Sequence, residues 1–142
     1  RQMLGLALSL PKDVQSLFFS FAERGLCQPF LDELRRHGFV AEALVNNAPH
    51  VRAVLREIRA RLTHHHIDLL CCHGYKADLL GRPAARNVGI PVVSVSRGWT
   101  AATWKVRVYE AVDRFALRWM DRVVCVSEGQ AVKVRRAGVS PR

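Results

Sequence analysis

The chain has 142 residues, 49% of them apolar, and lacks both a membrane-length apolar run and a charged-then-apolar leader, which leads us to expect one soluble, cytoplasmic domain over residues 1–142. Twenty-two Lys and Arg against twelve Asp and Glu leave a net charge of +10, pointing to nucleic acid, anionic lipid or phosphorylated small molecules as neighbours without separating them. The four cysteines, Cys27, Cys71, Cys72 and Cys125, form no C-x-x-C pair and read as reduced, buried thiols.

Residues 3–10 read as a short helix stopped by Pro11, and Val14 to Phe21 as a strand. A helix over 28–37 and a strand from Phe39 to Val45 follow. Val51, Val54, Leu55, Ile58 and Leu62 recur at helical spacing opposite Arg52, Arg56 and Arg59, predicting an amphipathic helix over 50–65 with Pro49 in its first turn. The apolar run Ile67 to Cys71 has the length of a buried strand, and the helix after it extends from Tyr75 to Asn87 with Gly89 as its cap. Pro83 inside that helix removes a backbone donor and predicts a kink near Leu79 or Leu80. Ile90 to Val95 is the next strand, followed by a turn at Arg97-Gly98-Trp99 and a helix over 102–120. Arg122 to Val126 repeats the strand pattern, and Ser127-Glu128-Gly129-Gln130 reads as a capping box opening a last helix that ends near Gly138.

This alternation predicts an α/β fold, a Rossmann-like doubly wound, mostly parallel sheet with helices on both faces. Such a unit normally begins with its central strand, whereas this chain opens on a helix. The first central strand is therefore expected to be missing, leaving a gap or an unusual pairing at the sheet centre. The chain has no G-x-G-x-x-G, G-x-x-x-x-G-K-[ST] or G-x-S-x-G, so dinucleotide, P-loop and hydrolase-elbow readings fall away.

His73 stands where an apolar strand stops and a helix begins, the edge at which ligands gather in open α/β sheets. The stretches DLLCCHGYKADLLGRPAAR (68–86), GIPVVS (89–94), RGWT (97–100) and DRVVCVSE (121–128), in this order and spacing, resemble the amino-terminal half of family 4 glycosyltransferases. Arg1 to Pro11 is similar to the first helix after that family's Gly-Gly-x-Glu-Arg loop. The resemblance implies the acceptor-side domain of a retaining, hexosyltransferase-type enzyme with two Rossmann-like domains facing across a cleft. It further implies a nucleotide-sugar donor, a glycan or lipid-linked acceptor, no cofactor and no metal. The second domain would hold the nucleotide diphosphate and supply a carboxylate pair, so this chain alone is expected to be inactive.

On that resemblance His73 matches the histidine that contacts the donor sugar, a role suited to an imidazole that can serve a hydroxyl or a phosphate oxygen. The alternative is a histidine that only fills the strand end. Gly74 would let a ligand approach the backbone, with Tyr75 and Lys76 in the next turn lining the same site. Arg97, followed by Gly98, stands where family members carry His, and either grips a phosphate or carboxylate or pairs with Glu110 or Asp113. Trp99 either stacks on the acceptor or serves as a hydrophobic staple. Ser127 and Glu128 end the last strand at the same edge, where Ser127 also suits an N-cap.

In the helix over 102–120, Trp104, Val108, Val112, Phe115 and Trp119 share one side and Arg107, Arg114 and Arg118 another. We expect the apolar side to face the core and the basic side to be solvated, with a Glu110 to Arg114 pair. The other reading is peripheral attachment to an anionic membrane surface. His64-His65-His66 suit a solvated helix end better than a zinc site. Two further readings stand beside the glycosyltransferase: a basic nucleic-acid-binding module, which the scatter of basic residues over many helices disfavours, and a non-catalytic scaffold.

Overall fold

The computed structural model describes residues 2–96 and 104–139. No described helix is long and apolar enough to cross a membrane. Two compact units make up the chain, Arg1–Glu57 and Ile58–Arg142.

The first unit holds helix α1 (Gln2–Ser9), strand β1 (Leu17–Phe21), helix α2 (Gln28–Arg36) and strand β2 (Val40–Leu44). The strands pair in parallel from Leu17 opposite Val40 to Phe21 opposite Leu44. Leu31 and Leu34, one turn apart on α2, are fully buried with Cys27 and Ala41. Phe18 closes this core by meeting the Phe30 and Phe39 rings edge-on at 6.3 and 5.4 Å. β1 starts later than the apolar pattern predicts, because Val14 donates to the Pro11 carbonyl in a turn and stays exposed.

Helix α3 (Val51–His64) carries Val54, Ile58 and Leu62 on its buried side, and the division between the units falls within it. Pro49 lies ahead of the helix across a cis peptide from Ala48, not in its first turn.

In the second unit strand β3 (Leu70–His73), helix α4 (Tyr75–Asn87), strand β4 (Val92–Ser96), helix α5 (Trp104–Leu117), strand β5 (Arg122–Cys125) and helix α6 (Glu128–Arg136) follow in strict alternation. The three strands are parallel and ordered β3-β4-β5. The described strands thus form two parallel sheets, β1-β2 in the first unit and β3-β4-β5 in the second, and the fold is α/β and Rossmann-like. β3 begins three residues later than Ile67, since the Ile67 N–H is taken by the Leu62 carbonyl at the end of α3. β4 likewise starts only after Ile90, whose N–H closes on Ala85, and after Pro91, which has no N–H to give. α2, α4 and α6 end alike: Gly38, Gly89 and Gly138 donate to Arg35, Arg86 and Arg135, and the residue after each glycine reaches one carbonyl further back. α4 continues through Pro83 to Asn87, whose Nδ2 donates to the Pro83 carbonyl.

Val92, Ser94 and Ser96 fill one face of β4 and are buried, with Cys72 of β3 in register with Ser94. α4 lies on this face so closely that a methyl group on Gly81 would come within 2.7 Å of Cys72 Sγ. At the opposite end of the strands Asp121 Oδ2 accepts from the Val92 N–H at 2.8 Å, and Arg82 donates to the Trp119 carbonyl.

The expectation for the four thiols needs correction. Cys27 and Cys72 are buried, but Cys71 is exposed and Cys125 only half-buried, because neighbouring positions on a strand face opposite ways. Burial, then Asp78 and Cys71, push the Cys72 thiol well above its ordinary range, so it stays protonated. The reading of α5 is overturned as well. Trp104, Val108, Val112, Phe115 and Trp119 face outwards, while Glu110, Ala116, Leu117 and Met120 are buried. The Glu110–Arg114 pair is present at 4.0 Å.

Candidate functional site

Because β3, β4 and β5 are parallel, their carboxyl ends share one edge, with His73 opposite Val95 and Ser96 opposite Cys125. β3 ends at His73, and α4 begins two residues later, at Tyr75. Gly74 makes this turn at φ 92 and ψ 158, a region that side chains exclude, with nothing within 4 Å of where a Cβ would stand. The backbone at this strand end is thus both sharply turned and open. His73 is half-buried, and its Nε2 lies 3.5 Å from Cys71 Sγ, two residues back on the same strand face. Tyr75 is exposed and Lys76 half-buried in the first turn of α4.

At the end of β5, Ser127 caps α6 by accepting from the Gln130 N–H at 3.2 Å, and Glu128 occupies the first helical position, where a negative charge suits the helix dipole. The capping box is only half made, because the Gln130 side chain donates to Ser96 Oγ at 2.8 Å instead of turning back towards Ser127. The structure therefore brings His73, Gly74, Tyr75 and Lys76 together at one strand end and Ser127 and Glu128 at another on the same edge. β4 separates the two groups by about 10 Å, two strand spacings. Arg97, Gly98 and Trp99 lie outside the described residues.

Beneath this edge runs a polar layer that the sequence reading missed. Asp78, one turn into α4, is buried and accepts from Ser94 Oγ at 2.9 Å. Burial first, and then the carboxylate of Asp113 and its hydrogen bond, raise Asp78 to about 7, while the Ser94 hydrogen bond works against the shift. Near neutral pH this carboxyl is therefore poised between acid and carboxylate. Asp78–Ser94 fastens α4 to β4, and Gln130–Ser96 fastens α6 to the same strand. The two helix N-termini beside the candidate site are thus set by two buried hydrogen bonds rather than by apolar packing alone. The signal in the sequence was the pair of serines sharing a strand face with Val92: buried hydroxyls require partners.

The parallel sheet, the glycine turn and the polar residues along its carboxyl edge define an α/β domain whose strand ends are a candidate ligand site. The family model described as "Glycosyl transferase 4-like domain" matches residues 22–142, so the chain belongs to this glycosyltransferase family as a domain of the amino-terminal type. No curated protein matches the chain.

Proposed function

We propose that this domain is the acceptor-side half of a retaining glycosyltransferase that moves a hexose from a nucleotide-sugar to a glycan or lipid-linked acceptor in polysaccharide biosynthesis, without a metal or other cofactor. In the transfer the bond from the anomeric carbon to the leaving phosphate oxygen breaks, a bond to an acceptor hydroxyl oxygen forms, and the proton of that hydroxyl passes to the departing phosphate. His73 contacts the donor sugar. Gly74 and the first turn of α4, with Tyr75 and Lys76, offer backbone and side-chain donors beside it, and Arg97 with Gly98 and Trp99 takes the acceptor. Ser127 and Glu128 close the far side of the site.

One observation carries the reading: in a member of this family, His73 ends the first of three parallel strands, directly before a glycine turn and a helix N-terminus. The nucleotide diphosphate is held by a second domain, so the 142-residue chain alone transfers no sugar.

The test is a transfer assay of the enzyme that joins this domain to a donor-binding domain, run across uridine-, guanosine- and adenosine-diphosphate sugars, with the product anomer read by NMR. Transfer with retained configuration is expected. Transfer with inversion would remove the retaining mechanism, and no transfer from any donor would remove the function. Transfer above a buffer control by the isolated chain would contradict its dependence on a second domain.

A further inference from the structure

α4 packs against α5, β3 and β4, and its contact with α5 holds a group that apolar packing does not explain. Asp78 of α4 is 2% exposed. One of its carboxyl oxygens, Oδ2, accepts from Ser94 Oγ at 2.9 Å, whereas Oδ1 is buried and no N–H or hydroxyl reaches it among the described residues. Nor does a lysine or arginine pair with Asp78 among the described residues. What faces it from α5 is a second carboxyl, Asp113, with which it makes a side-chain hydrogen bond. Two carboxyl groups bond in this way only if one of them carries a proton, because a carboxylate has no donor.

We propose that Asp78 and Asp113 hold one proton in common and form a proton-operated latch between α4 and α5, closed while Asp78 carries the proton and open once the pair has given it up. The surroundings of Asp78 sharpen this choice. On α5, Glu110 lies one turn before Asp113 and is buried, with Arg114 at 4.0 Å, so a further carboxyl stands on the same side of that helix. β3 contributes the Cys71 and Cys72 thiols, pushed up by burial first and by Asp78 next, and β4 the Ser94 hydroxyl. On α4 itself, Lys76 stands two positions away and so faces elsewhere, and Arg82 is taken by the Trp119 carbonyl at 2.6 Å and by Asp121 at 3.8 Å. Release of the proton leaves two poorly hydrated carboxylates side by side, whose repulsion and need for water part α5 from α4. The latch bears on the strand-end edge, because the Asp78 N–H closes on the Gly74 carbonyl at 3.0 Å and so anchors the turn that follows His73. It does not depend on the sugar-transfer reading and is read without turnover.

The test is an NMR titration of the 142-residue chain that follows the aspartate carboxyl carbons and amide hydrogen exchange together. Burial and Asp113 raise Asp78 from 3.8 to about 7, so its carboxyl carbon is expected to titrate near neutral pH. Protection factors in α4 and α5, corrected for the intrinsic pH dependence of exchange, should fall about tenfold from pH 6 to pH 8, while those of α2 in the first unit stay as they are. Asp113→Asn removes the second charge: the Asp78 midpoint should drop by at least about one pH unit, and the loss of protection over the same interval should shrink to about twofold. An Asp78 carboxyl titrating in the ordinary aspartate range, protection in α5 independent of pH, or a pH dependence that Asp113→Asn leaves intact would overturn the latch. So would a loss shared equally by α2, which would mark unfolding of the whole chain. The titration of the parent needs no variant, so it decides the matter even if Asp113→Asn folds poorly.

Discussion

Asp78 is a buried carboxyl whose surroundings bring its titration close to neutral pH. Its carboxyl ordinarily titrates at 3.8, but in the fold it is raised to about 7 by burial and by Asp113. Between these two values the folded chain holds a proton that the unfolded chain has released, so this group's contribution to stability is fully present below about pH 4 and falls as pH rises to about 7. At about 1.4 kcal/mol per pKa unit, the shift from 3.8 to about 7 bounds the loss at about 4 kcal/mol. Asp78→Asn keeps an acceptor for Ser94 and cannot ionise. We therefore expect the variant to be more stable than the parent at pH 8 and within about 1 kcal/mol of it at pH 4, measured by urea unfolding at both. A parent whose advantage grew with pH would contradict this account. Gly74 is constrained by its backbone alone: at φ 92 and ψ 158 an alanine is strained although space is available.

At the scale of elements, two joints lend themselves to direct measurement. Gly81 lets α4 settle on β3, and an alanine there meets Cys72 Sγ at 2.7 Å and Leu70 Cδ2 at 3.1 Å. Gly81→Ala should cost about 1–3 kcal/mol in unfolding, and adding Cys72→Ala should recover part of it, since the clash is shared. In the first unit, Glu57 of α3 accepts from the N–H groups of Val45 and Asn46 and from Asn46 Nδ2, all at 2.8 Å, holding the chain that leaves β2. Burial raises Glu57, but these donors outweigh it and hold the carboxyl below its usual 4.5. Its stabilisation is therefore present above that value and lost as pH falls through the lowered one. Glu57→Ala should cost about 1 kcal/mol at neutral pH, solvent screening included, and the difference should shrink in acid. The same scale shows what the sequence conveyed. The order of strands and helices was legible because apolar runs and amphipathic periods alternate, while the ends of β3 and β4 were not: Ile67 and Ile90 look like strand residues but finish the preceding helices. On α5 the largest side chains were taken for the core face. The face that is buried holds Glu110, Ala116 and Leu117, a choice imposed by neighbours that helical spacing does not reveal.

For the whole molecule, the strand-end position of His73 and the capping role of Ser127 were readable locally, because each follows from the residues next to it. The polar layer that sets the edge was not, since its two hydrogen bonds join residues 16 and 34 positions apart. Family membership makes this strand-end edge a candidate sugar site. The nucleic-acid reading gains nothing from the fold: arginines lie on α2, α3, α4, α5 and α6 instead of forming one stripe. A scaffold reading and an enzyme reading part at one residue. The decisive measurement is the turnover of His73→Ala in the enzyme that pairs this domain with its donor-binding partner, taken together with its melting temperature. The account predicts a loss of about a hundredfold in kcat, with melting within a few degrees of the parent. Unchanged turnover in a normally folded variant would contradict it and leave His73 a strand-end filler.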